Sequence, residues 1–576
     1  MRMAEKLQSI RRWELRDWAA GAALYLATAG FVFWQNAHIA VLWDLSYLLD
    51  TSWRIALGQI PYREFPLVHP PGTFLIQAAL MRLFGRTAWA MIGYAAVAGG
   101  AATVLTWRIL LRELQRRVQS AWTVSLALAA PLCFLGIYGV YPHPIYDCDC
   151  AFAVLVAIYL LQRLSIRLDR GEKAARLAFA TGAAAVVPCL FKQNIGLPFL
   201  LILLTGAAFL LILQRGLGAE REITREVLLW LLAGVAAASA SFVLLIQLTA
   251  GWGNFWHWTV HFAGERRLPG LGPMLANYKQ AQLLWMLPAL VAGYLLLKTH
   301  NRVWMRVAGM LLILAPFLAC LVEFFVADGF DDQADALLLL WPLLLLAAAG
   351  QALYSLRKGF SLRGLLPFLV LAAIHGALLS QQLWGSTYAI WPLLLILAAG
   401  LLGALPTAAD WVVPALGGVI GAVFLICGGV YAAGHDRLSY LNDIAGTPAH
   451  AVIPALRGLS TPGPYLADFE ELVRFTDAEI PRGDEILLLP GEEPFFFATG
   501  RTPRFPVQIF DRTTDPYSAE ELMAEAKRRG IRWVIVKTRM QSDEDPLPER
   551  VRTMALFESE FAEAVQLSGY TIYRRR

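Results

Sequence analysis

Three groups of aspartates stand beside long apolar runs in this chain: Asp44 and Asp50 after the first run, Asp147 and Asp149 before the fourth, and Asp328, Asp331, Asp332 and Asp335 before the tenth. Ionisable side chains are costly next to hydrocarbon, and those found there usually work. A carboxylate so placed takes a proton from a hydroxyl or holds a hard divalent cation such as Mg or Mn, for which Asp44 and Asp147 are the pair to consider. Arg63, Lys192, Arg266 and Arg267 fall in the same set of loops and suit an anionic phosphate through charge-assisted hydrogen bonds. The plainer readings are solvated loop acids for 328–335, a snorkelling lysine for Lys192, lipid headgroup contact for Arg266 and Arg267, and interfacial hydrogen bonding for His69, His143, His257 and His261. Cys148 and Cys150 flank Asp149 one residue apart, too close for the usual zinc pairs.

These residues must be positioned by membrane helices. Of 576 residues, 57% are hydrophobic and only 16% charged, and the mean hydropathy is +0.52. A soluble domain carries roughly 25% charged residues, so a soluble globular enzyme, a disordered chain and a coiled coil are excluded. Apolar runs recur at 18–36, 88–108, 121–140, 150–166, 174–191, 195–214, 227–250, 281–298, 305–326, 336–354, 364–380, 388–405 and 411–432, predicting 13 transmembrane helices. Alternate loops beginning with the N-terminus hold 23 Lys and Arg, and the opposite loops hold 8. That bias predicts a multi-pass protein of the plasma (inner) membrane with a cytoplasmic N-terminus and an exterior, periplasmic C-terminus. The net charge of +5 is spread over loops between apolar runs, with no basic face interleaved with aromatics, so membrane lipids and not nucleic acid are the expected surroundings.

Two parts lie outside the spans: a first loop at 37–87 within a membrane module of residues 1–434, and an exterior domain at 435–576. In the loop, Ser52 to Leu57 and Gly72 to Leu83 read as short interfacial helices. In the domain, Glu485 to Leu489, Phe495 to Ala498 and Trp533 to Val536 read as strands. Ser518 to Arg529 reads as a helix capped by Ser518 and stopped at Gly530, which together predict a small α/β fold.

The first loop, WDLSYLLDTSWRIALGQIPYREFPLVHPPGTFLIQ, carries the most specific pattern: Asp44 and Tyr47, then Gly58, Pro61, Tyr62, Arg63 and Phe65, then His69 to Pro71 opening a helix. With Tyr146-Asp147, Phe191-Lys192-Gln193 and Tyr388 to Pro392, it resembles the C-type (GT-C) membrane glycosyltransferases around glycosyltransferase family 39, the branch of protein O-mannosyltransferases and lipid A aminoarabinose transferases. The resemblance spans nearly the whole chain and lies in the order of short motifs more than in any one. It implies transfer of a hexosyl or pentosyl group from a polyprenyl-phosphate carrier to a hydroxyl of a lipid, glycan or protein acceptor at the exterior face. The family's catalytic first-loop acid maps to Asp44. The family often has Asp-Glu there, whereas this chain has Asp44-Leu45, which shifts the second acid to Asp147 or Asp149. Such a carrier brings its own leaving group, so the enzyme must deprotonate the acceptor and neutralise the departing phosphate. Asp44 fits the base, and Lys192, Arg63, Tyr62, His69, Arg266 and Arg267 fit the carrier phosphate. A transporter or flippase of a lipid-linked substrate and a polysaccharide polymerase or ligase are the competing expectations; the former calls for ionisable residues at mid-span.

Overall fold

The computed structural model describes residues 13–576 apart from 116, 217–224, 268–270, 358–360, 380–388, 407–409, 435–437, 439–445, 512 and 542–547. The basic segment 1–12, parts of several loops and Tyr388 therefore lie outside the described residues, and the orientation remains a reading of the sequence.

Helices occupy every apolar run. Among the described residues seven are long and apolar enough to cross a membrane: Ala88–Leu114, Tyr146–Asp169, Gln193–Ile212, Arg225–Thr249, Val303–Val326, Phe330–Leu356 and Val412–Ala432. Leu15–Asn36, of 22 residues, precedes them, and Ala175–Leu190, Leu283–Thr299, Arg363–Leu378 and Trp391–Gly403 are shorter apolar helices. The run at 121–140 is not one span. Its helix ends at Ala129, a single turn Leu132–Leu135 follows Pro131, and 136–145 is irregular. A Cβ on Gly136 would meet the Leu132 carbonyl oxygen at 2.3 Å, so the chain turns sharply there.

Three helix boundaries differ from the sequence expectation in ways that move the acids. The fourth run starts at Tyr146, which places Asp147 and Asp149 in a helical first turn, where the positive end of the helix dipole favours them. The first-loop helix is Leu42–Ala56, starting well before Ser52, so Asp44 and Asp50 lie on it. Asp331, Asp332 and Asp335 lie on Phe330–Leu338; they and Asp328 are exposed. The Gly72–Phe84 helix falls as expected.

In the C-terminal part, strands Ile486–Leu489, Trp533–Lys537, Tyr570–Arg575 and Phe561–Gln566 lie in that spatial order. The first pair is parallel and the others antiparallel. Ser518 caps Ala519–Arg528 as expected: its hydroxyl accepts from the Glu521 N–H at 3.3 Å and the Glu521 carboxylate accepts from the Ser518 N–H at 2.9 Å. Phe495–Thr499 is a helical turn and not a strand, closed by Gly500 at φ 70°. Short, wholly buried apolar runs do not reveal their period. One continuous core joins Leu45 and Leu49 of the first-loop helix to Phe469, Phe495 and Phe497, while Leu522, Ile531 and Val534 belong to a second, smaller core.

Candidate active site

Asp44 sits in the first turn of the Leu42–Ala56 helix, partly exposed. The Tyr141 hydroxyl donates to its Oδ2. Apolar surroundings push its carboxyl above the usual range, while the Tyr141 hydrogen bond and the charges of Arg267 and Lys192 pull it down. One turn on, the Tyr47 hydroxyl lies 3.4 Å from His69 Nδ1. The His69 ring stacks on Tyr146 with centroids 3.7 Å apart. Tyr62, at φ 68°, donates its hydroxyl to the His69 carbonyl at 2.7 Å and so shapes the loop before the Gly72–Phe84 helix. Burial and the Arg267 and Lys192 charges hold the His69 imidazole well below its ordinary pKa. It is therefore neutral, and brings a hydrogen-bonding ring and no charge to a phosphate.

Lys192 is not the lone cation its loop suggests. Its ammonium pairs with Asp147, the two side chains being 7% and 3% exposed, and it lies 5.0 Å from the centre of the Tyr146 ring. Asp149 is fully engaged as an acceptor: Thr73 donates at 2.6 Å, Tyr94 at 2.6 Å, and Tyr138 also donates. That ties the Gly72–Phe84, Ala88–Leu114 and Tyr146–Asp169 helices at one level and leaves Asp149 poorly placed to accept a substrate proton. Asp50 faces away from Asp44 and accepts from the N–H groups of Phe496 at 3.2 Å and Phe497 at 2.7 Å.

The four sequence-identified cations separate. Arg267 acts electrostatically on Asp44, Tyr47 and His69. Its neighbour Arg266 turns to the C-terminal part, donating to the Asp515 carbonyl at 3.0 Å and lying over Phe262. Arg63 is exposed, with its guanidinium 3.5 Å from the Thr249 carbonyl. The Asp44–Asp147 pair makes a poor divalent site in this arrangement, because one carboxylate is already neutralised by an ammonium. Among the described residues no group of three or more His, Cys, Asp or Glu gathers to hold a metal.

Tyr141, Tyr94, Tyr138 and Thr73 are site residues that the sequence does not single out. Tyr141 reaches Asp44 across 97 positions, a separation at which no local spacing operates. The clue available was the aromatic-rich stretch from Tyr138 to Tyr146. A cleft lined by Tyr47, Thr51, Phe65, Val68, Gln508 and Thr514 opens between the first loop and the C-terminal part. His143 is fully buried, and burial lowers its pKa to about 3.

No family model matches the chain, and no curated protein matches it. Among solved structures, AglB of Archaeoglobus fulgidus in complex with an inhibitory peptide and a dolichol-phosphate is 11% identical, with 91% of this chain and 69% of that chain covered and a TM-score of 0.47. The same organism's oligosaccharyltransferase in complex with Zn and sulfate is 11% identical, with coverages of 90% and 68% and a TM-score of 0.48. The chain is similar along 96% of its own length, and 97% of the other, to ArnT from Cupriavidus metallidurans bound to undecaprenyl phosphate, at 11% identity and a TM-score of 0.44.

Proposed function

We propose that the protein is a membrane glycosyltransferase that moves a sugar from a polyprenyl-phosphate carrier to an acceptor hydroxyl, with Asp44 as general base. The observation that carries this reading is the convergence on one partly exposed carboxylate of the Tyr141 hydroxyl and the Arg267 charge, at the end of an apolar helical bundle. Asp44 takes the acceptor proton as the acceptor oxygen bonds to the anomeric carbon. The bond from that carbon to the carrier phosphate breaks, and its electron pair leaves on the phosphate. A base of raised pKa is better matched to a hydroxyl at working pH than an ordinary carboxylate.

Arg267 is the first partner of the departing phosphate, because its charge already reaches Asp44 and Tyr47. Lys192 contributes through the Asp147 pair, and His69 holds Tyr47 and Tyr146 in place. The cleft between Tyr47 and Gln508 is the acceptor's approach, so the C-terminal part at 435–576 forms one wall of the reaction chamber over the 1–434 membrane module. The decisive experiment incubates purified protein with a polyprenyl-phosphate sugar and hydroxyl acceptors of lipid, glycan and peptide type. Carrier-dependent sugar transfer that disappears in Asp44→Asn supports the reading. Movement of the intact carrier across proteoliposomes without bond cleavage would replace it with a flippase.

A further inference from the structure

The opposite end of the bundle holds a second cavity, between the end of Ala88–Leu114, the end of Tyr146–Asp169 and the turn Arg363–Leu365. It is lined by Arg112, Gln162, Ser165 and Arg363, with Leu161 and Leu366 among its apolar walls. Gln162 and Ser165 lie on the helix whose first turn carries Asp147, roughly 25 Å along its axis at about 1.5 Å per residue, so this cavity is separate from the candidate active site.

Its cations are unequally satisfied. Arg363 stands 3.5 Å from Glu113, and nearby Arg108, whose Nε and Nη1 also lack hydrogen-bond partners, stands 3.6 Å from Asp17. Arg112 has no carboxylate at ion-pair distance among the described residues; its guanidinium lies over the Tyr159 ring at 4.0 Å. Its Nε and Nη1 atoms are buried without a hydrogen-bond partner. Gln162 donates weakly to the Ile109 carbonyl at 3.4 Å, while its Oε1 is buried and unpartnered. Buried donors without partners are costly, those of a charged group most of all, so unfilled guanidinium donors at a cavity wall call for an anion.

We propose that this cavity binds the phosphate of an anionic glycerophospholipid. Arg112 and Arg363 would receive the phosphate, the free Gln162 Oε1 would accept from a headgroup hydroxyl, and Leu161 and Leu366 would meet the glycerol and the start of the acyl chains. A free phosphate ion matches the arginines but uses neither the amide acceptor nor the apolar walls. Basic pockets between transmembrane helices are established headgroup sites in general.

The test uses full-length protein in detergent and native mass spectrometry during titration with dioleoylphosphatidylglycerol or dioleoylphosphatidylcholine. The wild type should retain the glycerol lipid about tenfold better than the choline lipid, and Arg112→Gln should remove most of that preference. Ser165→Leu, which fills the cavity and leaves every charge in place, should remove it too and serves if Arg112→Gln is poorly folded. Arg117→Gln, an exposed charge at the same end, should leave it intact. Inorganic phosphate at millimolar concentration should compete weakly; full competition would assign the cavity to free phosphate and overturn the lipid. Equal retention of both lipids by the wild type, or a preference that survives both Arg112→Gln and Ser165→Leu, would overturn the site. So would equal loss in Arg117→Gln, which would mean diffuse surface attraction.

Discussion

At the scale of single residues, the two cations Lys192 and Arg267 lead to opposite expectations for superficially similar mutations. Asp44→Asn keeps the shape of the side chain and its hydrogen bond with Tyr141 while removing basicity. It should lower the single-turnover transfer rate by about 10²–10⁴ and leave the carrier dissociation constant within a few-fold. Because the Asp44 carboxyl is raised by its surroundings, the acidic limb of the wild-type rate profile should rise through a pKa above the ordinary carboxylate value; a limb at the ordinary value would remove Asp44 as the titrating base. Lys192→Ala strips the partner from a buried carboxylate, and breaking such a pair costs about 3–5 kcal/mol. It should therefore lower the thermal midpoint more than it changes carrier affinity, and Lys192→Met with Asp147→Leu should recover much of the loss. Arg267→Ala should leave the midpoint nearly unchanged and weaken carrier binding about tenfold to a hundredfold, as expected for charge-assisted bonds of about 1.5–3 kcal/mol. The reverse pattern in the two variants would exchange their roles.

At the scale of elements, the Leu42–Ala56 helix does two jobs. One side presents Asp44 and Tyr47, and the rest is bolted to the C-terminal part. Ser46 donates to the carbonyls of Gly491 at 3.0 Å and Glu493 at 2.7 Å, Thr51 to Gln508 at 3.0 Å, and Trp53 to the Arg501 carbonyl at 3.1 Å. Asp50 completes the joint by accepting two backbone N–H groups at the start of Phe495–Thr499. Its removal in Asp50→Ala strands those donors and should destabilise the joint by about 1–3 kcal/mol, read as faster proteolysis between the two parts. Burial pushes the Asp50 carboxyl up to about 7, against those N–H bonds and Arg54. A carboxyl whose folded pKa is raised contributes stability below its unfolded value, and that contribution fades as pH rises towards the folded one. The thermal midpoint should accordingly decline between about pH 4 and about pH 7, and Asp50→Asn should flatten that decline. An unchanged slope would mean that Asp50 stays ionised in the folded protein.

At the scale of the whole molecule, the polar cluster around Asp44 sits at one end of an apolar bundle. Charged residues buried among the described residues of the spans, such as Asp17, Arg108, Glu113, Asp147 and Asp149, lie near helix ends. That distribution serves chemistry at a membrane surface better than passage through the middle. The Lys and Arg bias of the loops predicts that the C-terminal part lies outside. A cysteine at exposed Ser518 should thus react with a membrane-impermeant maleimide in intact cells, in a background without the six native cysteines. Reaction only after permeabilisation would invert the topology and put the proposed active site in the cytoplasm.

Composition and apolar periodicity by themselves determined the membrane class, the location of the helices and the presence of a small α/β unit, because hydrocarbon demands long apolar segments whatever their neighbours are. The capping box at Ser518 was equally legible, since its partners lie three residues apart. Tertiary structure decided what each charge does. Lys192 and Asp147 are 45 positions apart, as are Lys537 and Glu492, and both pairs are buried. Asp149 looks like a second catalytic acid until Thr73, Tyr94 and Tyr138 close around it. The break at 130–145 and the helical turn at Phe495 were hidden for a related reason: a buried apolar run has the same composition whether it is a span, a strand or a single turn. Local sequence sets the cost of burying a group, but the compensation comes from partners that only the folded chain brings within hydrogen-bonding distance.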